Sequence, residues 1–249
     1  MLSNEQIQEN WDNFLSIIDS YTSTDGESRW NILKDFYTQH EQRFAFMPAS
    51  SKTHFHSAFP GGHVSHTLRV YNTALELMAL WEKLGAKIDF SEEELVFAAI
   101  NHDMGKFGTV DAEYYIDQDS NWHRDRGEVY KNNPAVPFMK DSDRTIFLLQ
   151  ELGVKISEAE YLAIKLQAGL YEEANKSYFI SYAPEFKLRS NLPYILHQAD
   201  AMSARIESTT MGVATTPKPK NKFTPKPKAS ASTKPVSKAA SKFLKHLNQ

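Results

Sequence analysis

The chain has 249 residues, is 41% hydrophobic and 12% aromatic, and has no cysteine. It can therefore bury a sizeable core, but disulfides, thiolate catalysis and Cys-ligated zinc are excluded. No apolar run reaches the ~18–20 residues of a membrane helix, and the acidic start MLSNEQIQENWDNF lacks the basic and apolar regions of a signal peptide, so a cytoplasmic protein is expected. The net charge of −3 hides an asymmetry: nine lysines and no acidic residue fall in 209–249, which leaves an excess of 12 acidic groups over residues 1–208.

In chain order, the apolar spacing predicts amphipathic helices over 4–19 (Ile7, Trp11, Phe14, Leu15, Ile18) and 27–41 (Trp30, Leu33, Phe36, Tyr37). Residues 44–62, rich in Pro and Gly, read as a loop. A long helix follows from about His63 to Leu84. Ser91 and Glu94 form a capping box for a helix over 92–103, which Gly105 stops. Residues 106–140 show little periodicity, and so long an irregular insertion points to function. Helices resume at about 141–152, 158–173 (capped by Ser157 with Glu160) and 190–208. No strand alternation stands out, so the expected class is all-α. The Lys/Pro/Ala/Ser composition of 209–249 predicts a disordered basic tail, with a short amphipathic helix at Phe243, Leu244 and Leu247. The expected organisation is thus N-terminal helices over 1–54 packing on the core, a main domain over 55–208, and the tail over 209–249.

Three helices each aim a His or an Asp inward. His66 begins the stripe His66, Val70, Thr73, Leu77, Leu80, Leu84 of the long helix. His102 shares a face with Leu95, Ala98 and Ala99, with Asp103 beside it. Asp200 borders the stripe Ile195, Ala199, Met202, Ile206. Each taken singly is explained by a satisfied core histidine, a local cap or a charged helix edge. Together they share one need, a partner for each buried polar group, and a metal ion is one way to meet it. Two imidazoles and two carboxylates suit a borderline divalent ion. The spacing leaves both explanations open.

At these residues the chain resembles the HD-domain metal-dependent phosphohydrolases. GGHVSHTLRV is similar to the segment around that family's first His, INHDMGK to its His-Asp doublet, and LHQADAMSARIE to its final Asp segment, in the same order over about residues 55–208. The resemblance implies an HD-domain helical bundle with His66, His102, Asp103 and Asp200 as metal ligands. It also implies hydrolysis of a nucleotide phosphoester or phosphoanhydride by a metal-activated water. The implied cofactor is a divalent transition metal: Mn, Co, Ni, Fe or Zn. Binuclear members carry further histidines before the last Asp. Here the only one between 103 and 197 is His123, in the insertion, so one tightly bound ion is expected, with a supporting or core role for His197.

Around this site Asp103 is a candidate proton acceptor, with Asp111 as a second candidate base. Lys106 and Arg69, close to the ligands, are candidate phosphate partners. Arg126 and Tyr130 of WHRDRGEVYKNN, and Tyr171 and Lys176 of GLYEEANKSYF, are candidate substrate contacts. Each has an ordinary surface explanation too. The partners this implies are a nucleotide or other small phosphorylated substrate, weak nucleic-acid contact through the lysine-rich tail, and no membrane. Two rival functions stand beside the nucleotidase: a 3′–5′ exonuclease on RNA or DNA ends, and a non-catalytic nucleotide-binding protein of the same fold.

Overall fold

Serine caps set where several helices begin. In the computed structural model, which describes residues 1–210, Ser3, Ser91 and Ser157 each accept a hydrogen bond from the backbone N–H three residues on. Gln6, Glu94 and Glu160 reach back to the cap backbone in return, which satisfies two orphan donors per helix start. The helices among the described residues are α1 (Asn4–Asp19), α2 (Arg29–Gln39), α3 (Glu41–Phe46), α4 (Gly62–Lys83), α5 (Glu92–Asn101), α6 (Asn121–Asp125), α7 (Asp141–Glu151), α8 (Glu158–Leu166), α9 (Lys176–Phe179) and α10 (Leu192–Thr210). Short 3-10 turns follow α5, at Met104–Phe107, and α8, at Gly169–Tyr171 and Glu173–Asn175. No described helix is long and apolar enough to cross a membrane.

The fold is mostly helical but not purely so. Strand β1 (Tyr115–Asp117) pairs antiparallel with β2 (Tyr130–Asn132), with Tyr115 opposite Asn132 and Asp117 opposite Tyr130. This corrects the strand-free expectation. Three residues are too few for a period-2 pattern to emerge from a sequence, and the pair is held from outside as much as by its own ladder. The N–H groups of Val129 and Tyr130 donate to the Ser51 carbonyl, and that of Thr53 donates to the Gly127 carbonyl. The insertion is thereby stitched to the loop that precedes α4.

Helix α5 lies at the centre. Every residue from Leu95 to Asn101 is buried, the mark of a helix surrounded by others. It packs on α4 and α8, and α10 packs on both of those. The N-terminal helices share this core: Trp11, Phe14, Leu33, Tyr37 and Phe44 belong to one apolar cluster with Phe97, Ala163 and Leu196. Arg29 ties α2 to this centre. It pairs with the fully buried Glu160 and with Glu93, and its guanidinium lies 3.9 Å over the Phe97 ring.

Two expected apolar stripes end differently from their predicted course. The stripe of α4 leaves the core before its end, and Leu80 and Leu84 are exposed. On α10 the buried line is Ile195, Ala199, Ser203, Glu207, while Met202 and Ile206 are exposed. A glutamate thus occupies a core position, for a reason that lies in its partners. Of residues 209–249, Thr209 and Thr210 close α10; the predicted disordered tail and its terminal amphipathic helix otherwise lie outside the described residues.

Candidate metal centre and the cavity beside it

Helix α5 stops at Asn101, and the chain turns sharply through His102 and Asp103 into the Met104–Phe107 turn. Thr145 of α7, fully buried, pins this corner: the Gly105 N–H donates to its Oγ1 at 2.8 Å, and its hydroxyl donates to the His102 carbonyl at 3.2 Å. Gly105 is required there, since a Cβ would stand 2.1 Å from the Asp141 carbonyl oxygen. The corner therefore presents His102 and Asp103 to the space between α4, α8 and α10.

In that space one ligand atom each from His66, His102 and Asp103 lie within 4.8 Å of one another, and all three residues are buried. Asp200 joins through His66, its Oδ1 being 3.1 Å from His66 Nε2. Three of the four expected ligands thus form one cluster, and Asp200 reaches it through His66. Beside them, Lys106 Nζ donates to Asp103 Oδ2 at 2.5 Å, and Gln167 Nε2 lies 3.4 Å from Asp103 Oδ1.

The ring orientations fit a metal. His102 Nδ1 donates to the Ala99 carbonyl at 2.8 Å, which leaves Nε2 as the unprotonated nitrogen. That Nε2 is buried without a hydrogen-bond partner. His66 turns its Nδ1 to the carboxylate of Glu207, 3.2 Å from both oxygens, and its Nε2 to the cluster. A carboxylate behind a histidine in this way fixes ring orientation and raises ligand basicity in metal sites. Glu207 is held in turn by the Ser57 hydroxyl at 2.8 Å. The residues His66, His102 and Asp103 can therefore hold a metal ion, and N/O donors of this kind suit the borderline transition metals.

Electrostatics follow from these contacts. Burial alone would lower the His66 pKa, but hydrogen bonds and charge from Asp200 and Glu207 outweigh it and raise it to about 9. Burial works to raise the Asp103 pKa, and is overcome by Lys106, His102 and His66, which hold the carboxyl well below the usual range. Lys106 shows the converse: burial disfavours its charge, and Asp103 more than restores it.

A cavity of about 380 Å³ opens on the cluster. Its walls include His56, Asp103, Lys106, Gln167 and Asp200, with Lys140 and Lys165 farther out. His56 and His63 are functional candidates that the sequence reading passed over. The His56 ring centroid is 4.4 Å from that of His66, and His56 Nε2 and His63 Nδ1 are buried without partners. Burial keeps both neutral, lowering their pKa values to about 4 and about 3. Glu207 was also missed. Its signal is the spacing 200, 203, 207, which continues the Asp200 face of α10 by three and four.

The other expected contacts are placed elsewhere. Arg69 Nε forms an ion pair with Glu207 at 3.2 Å, behind His66. Asp111 is an exposed loop residue, and Arg126 lies over the Trp122 ring at 4.5 Å. Tyr171 is almost wholly exposed, and Lys176 pairs with Glu173 at 3.7 Å. From that stretch Glu172 and Asn175 face the cavity instead. Tyr130 lines a second cavity described below. His123 is engaged by Glu128 at 2.8 Å. His197 donates through Nδ1 to the Gln167 carbonyl at 2.7 Å. Its ring packs so closely on Gly169 that a Cβ there would sit 2.1 Å from it, so His197 supports the Gln167 wall of the cavity.

Compared with known proteins, the chain matches no family, no curated protein and no solved structure.

Proposed function

We propose that the chain is a metal-dependent phosphohydrolase of the HD type that acts on a nucleotide. One observation carries the reading: His66, His102 and Asp103 converge with Asp200 beside a cavity, on elements that follow the order of the HD motifs. Absence of any match among known proteins leaves the weight on this geometry and on the three motif segments.

A divalent cation held by His66, His102 and Asp103 would supply a Lewis acid for a phosphate oxygen and would lower the pKa of a water. The chain's own groups then have defined tasks. The Lys106 ammonium faces the cavity and neutralises charge that grows on the phosphoryl oxygens. Asp103 offers a carboxylate held ionised by Lys106, which can accept a hydrogen bond from a water and orient it. Gln167 orients that carboxylate, and its own Oε1, buried without a partner, is available to a substrate hydroxyl or water. Lys140 and Lys165, at present paired with Glu172 and Asp143, lie where further phosphates would reach.

The test is a panel of nucleoside and deoxynucleoside triphosphates, monophosphates, cyclic nucleotides and short RNA and DNA, each with Mn²⁺, Co²⁺, Ni²⁺, Zn²⁺ or Mg²⁺. Turnover of a nucleotide that requires added transition metal and stops with chelator supports the proposal. Stepwise shortening of oligonucleotides from the 3′ end, without mononucleotide turnover, replaces it with the exonuclease. Metal-independent nucleotide binding without turnover replaces it with a non-catalytic protein.

A further inference from the structure

Lys106 and Tyr114 line two cavities. One is the cavity at the His/Asp cluster. The other, of about 340 Å³, lies between the α3 end of the chain and the β1–β2 hairpin of the insertion. Its walls are of a different kind. Phe46, Tyr114, Tyr115 and Tyr130 supply flat aromatic surfaces, and the carboxylates of Glu113 and Asp117 stand among them. Neither carboxylate forms an ion pair among the described residues. The one arginine there, Arg43, is occupied: its guanidinium donates to the carbonyls of Thr109 and Val110 and lies 4.3 Å over the Phe107 ring.

We infer that this second cavity seats the nucleobase of the substrate whose phosphate reacts at the cluster, with Lys106 at the junction between the two. The inference rests on the nucleotide reading above and assigns the site that distinguishes a nucleotide from a simple phosphate. Three features carry it. Its size falls in the range of small-ligand pockets, and aromatic walls with a few polar groups are their usual lining. Planar side chains stack on planar bases regardless of base identity. The unpaired carboxylates repel phosphate and accept N–H donors from a base edge, whereas the neighbouring cavity holds Lys106, Lys140 and Lys165. A ligand with an aromatic, N–H-bearing end and an anionic end therefore has one orientation across the two. The long insertion then has a task, which is to build one wall of the base pocket from β1 and β2.

The experiment is titration calorimetry of the full chain with non-hydrolysable 5′-phosphonate analogues of the common nucleoside monophosphates, and with inorganic phosphate as the baseless probe. It is run on the wild type, Phe46→Ala and Tyr130→Ala. Phe46 is half exposed at a helix end, so its removal leaves the core intact, while circular dichroism checks the hairpin in the second variant. The expected result is tighter binding of at least one nucleoside phosphonate than of phosphate, weakened at least about fivefold in Phe46→Ala, the low end for one lost stacking contact. Phosphate affinity is unchanged in both variants. Equal affinity for phosphate and every nucleoside phosphonate, no phosphonate binding at all, or nucleoside binding untouched in Phe46→Ala each overturns the pocket. Failure of the hydrolase reading looks different: base-dependent binding that needs Phe46, in a chain that turns over no phosphate ester, keeps the pocket and removes the reaction. Metal-dependent turnover with unchanged KM in Phe46→Ala does the reverse.

Discussion

The corner at His102–Asp103 and the hairpin of the insertion face each other across Lys106, and they are held by opposite means. The corner is enclosed. His66, His102 and Thr145 are fully buried, and Asp103 and Lys106 nearly so. His66 is held by Glu207 and Asp200 of α10, His102 by the Ala99 carbonyl of α5, and Asp103 by Lys106. The hairpin has three residue pairs in its ladder, no fully buried side chain within its strands, and hydrogen bonds to a loop for support. Buried polar groups are costly unless partnered, so the corner tolerates few substitutions. A half-exposed surface tolerates many, and this is where substrate preference can be altered without loss of the fold. Under the proposed function, the chemistry would sit on the first kind of structure and the selectivity on the second.

The contrast is broken most severely at Asp103. Asp103→Ala removes a cluster carboxylate and the partner of Lys106, and metal-dependent phosphate release is expected to fall to background while circular dichroism retains a helical spectrum. Next comes Gly105→Ala. The added Cβ meets the Asp141 carbonyl at 2.1 Å, a backbone clash that α7 must move to relieve. Overpacking of this type costs typically about 1–3 kcal/mol and occasionally more, so the urea midpoint should drop markedly. Unchanged stability would mean that the corner is looser than described.

Glu207→Gln tests whether the carboxylate behind His66 matters to the centre. Removing such a partner costs roughly 10–100-fold in metal affinity or activity, and a loss in that range is expected by direct metal titration. An unchanged affinity would make the His66–Glu207 contact a packing feature only. Thr145→Val leaves the Gly105 N–H and the His102 carbonyl without their side-chain partner. Destabilisation of about 1–3 kcal/mol is expected, the usual cost of an unsatisfied buried group. At the other end, Arg126→Ala and Tyr171→Ala touch exposed side chains away from both cavities. Stability should stay within about 0.5 kcal/mol and turnover within about twofold, and a larger loss would place substrate on a surface where none is drawn.

The same division governs what could be read from the sequence. His66, His102, Asp103 and Asp200 could be placed because they begin or border helical stripes whose phase is set by many apolar residues. The capping boxes at Ser91 and Ser157 were legible because their pattern is local. Glu207 was not, since a polar residue in an apolar phase reads as surface until its partners, Ser57 and His66, are known. The hairpin was hidden because its pairing joins residues fifteen or so apart through segments too short to show a period. Arg69, Tyr171 and Lys176 were placed by proximity along a helix or loop, which does not decide direction: Arg69 turned behind His66, and Tyr171 turned to the surface.

The central claim is that four side chains from three places in the fold, α4, the end of α5 and α10, form one metal site. It is tested most directly by calorimetric titration of Mn²⁺, Co²⁺, Ni²⁺ and Zn²⁺ into the chelator-stripped full chain, beside His102→Ala and Asp200→Ala. The account predicts one tightly bound ion per chain for at least one of these metals, with affinity greatly weakened in both variants and a rise in Tm that follows occupancy. No saturable binding of any of the four metals, or binding equally tight in both variants, would contradict it.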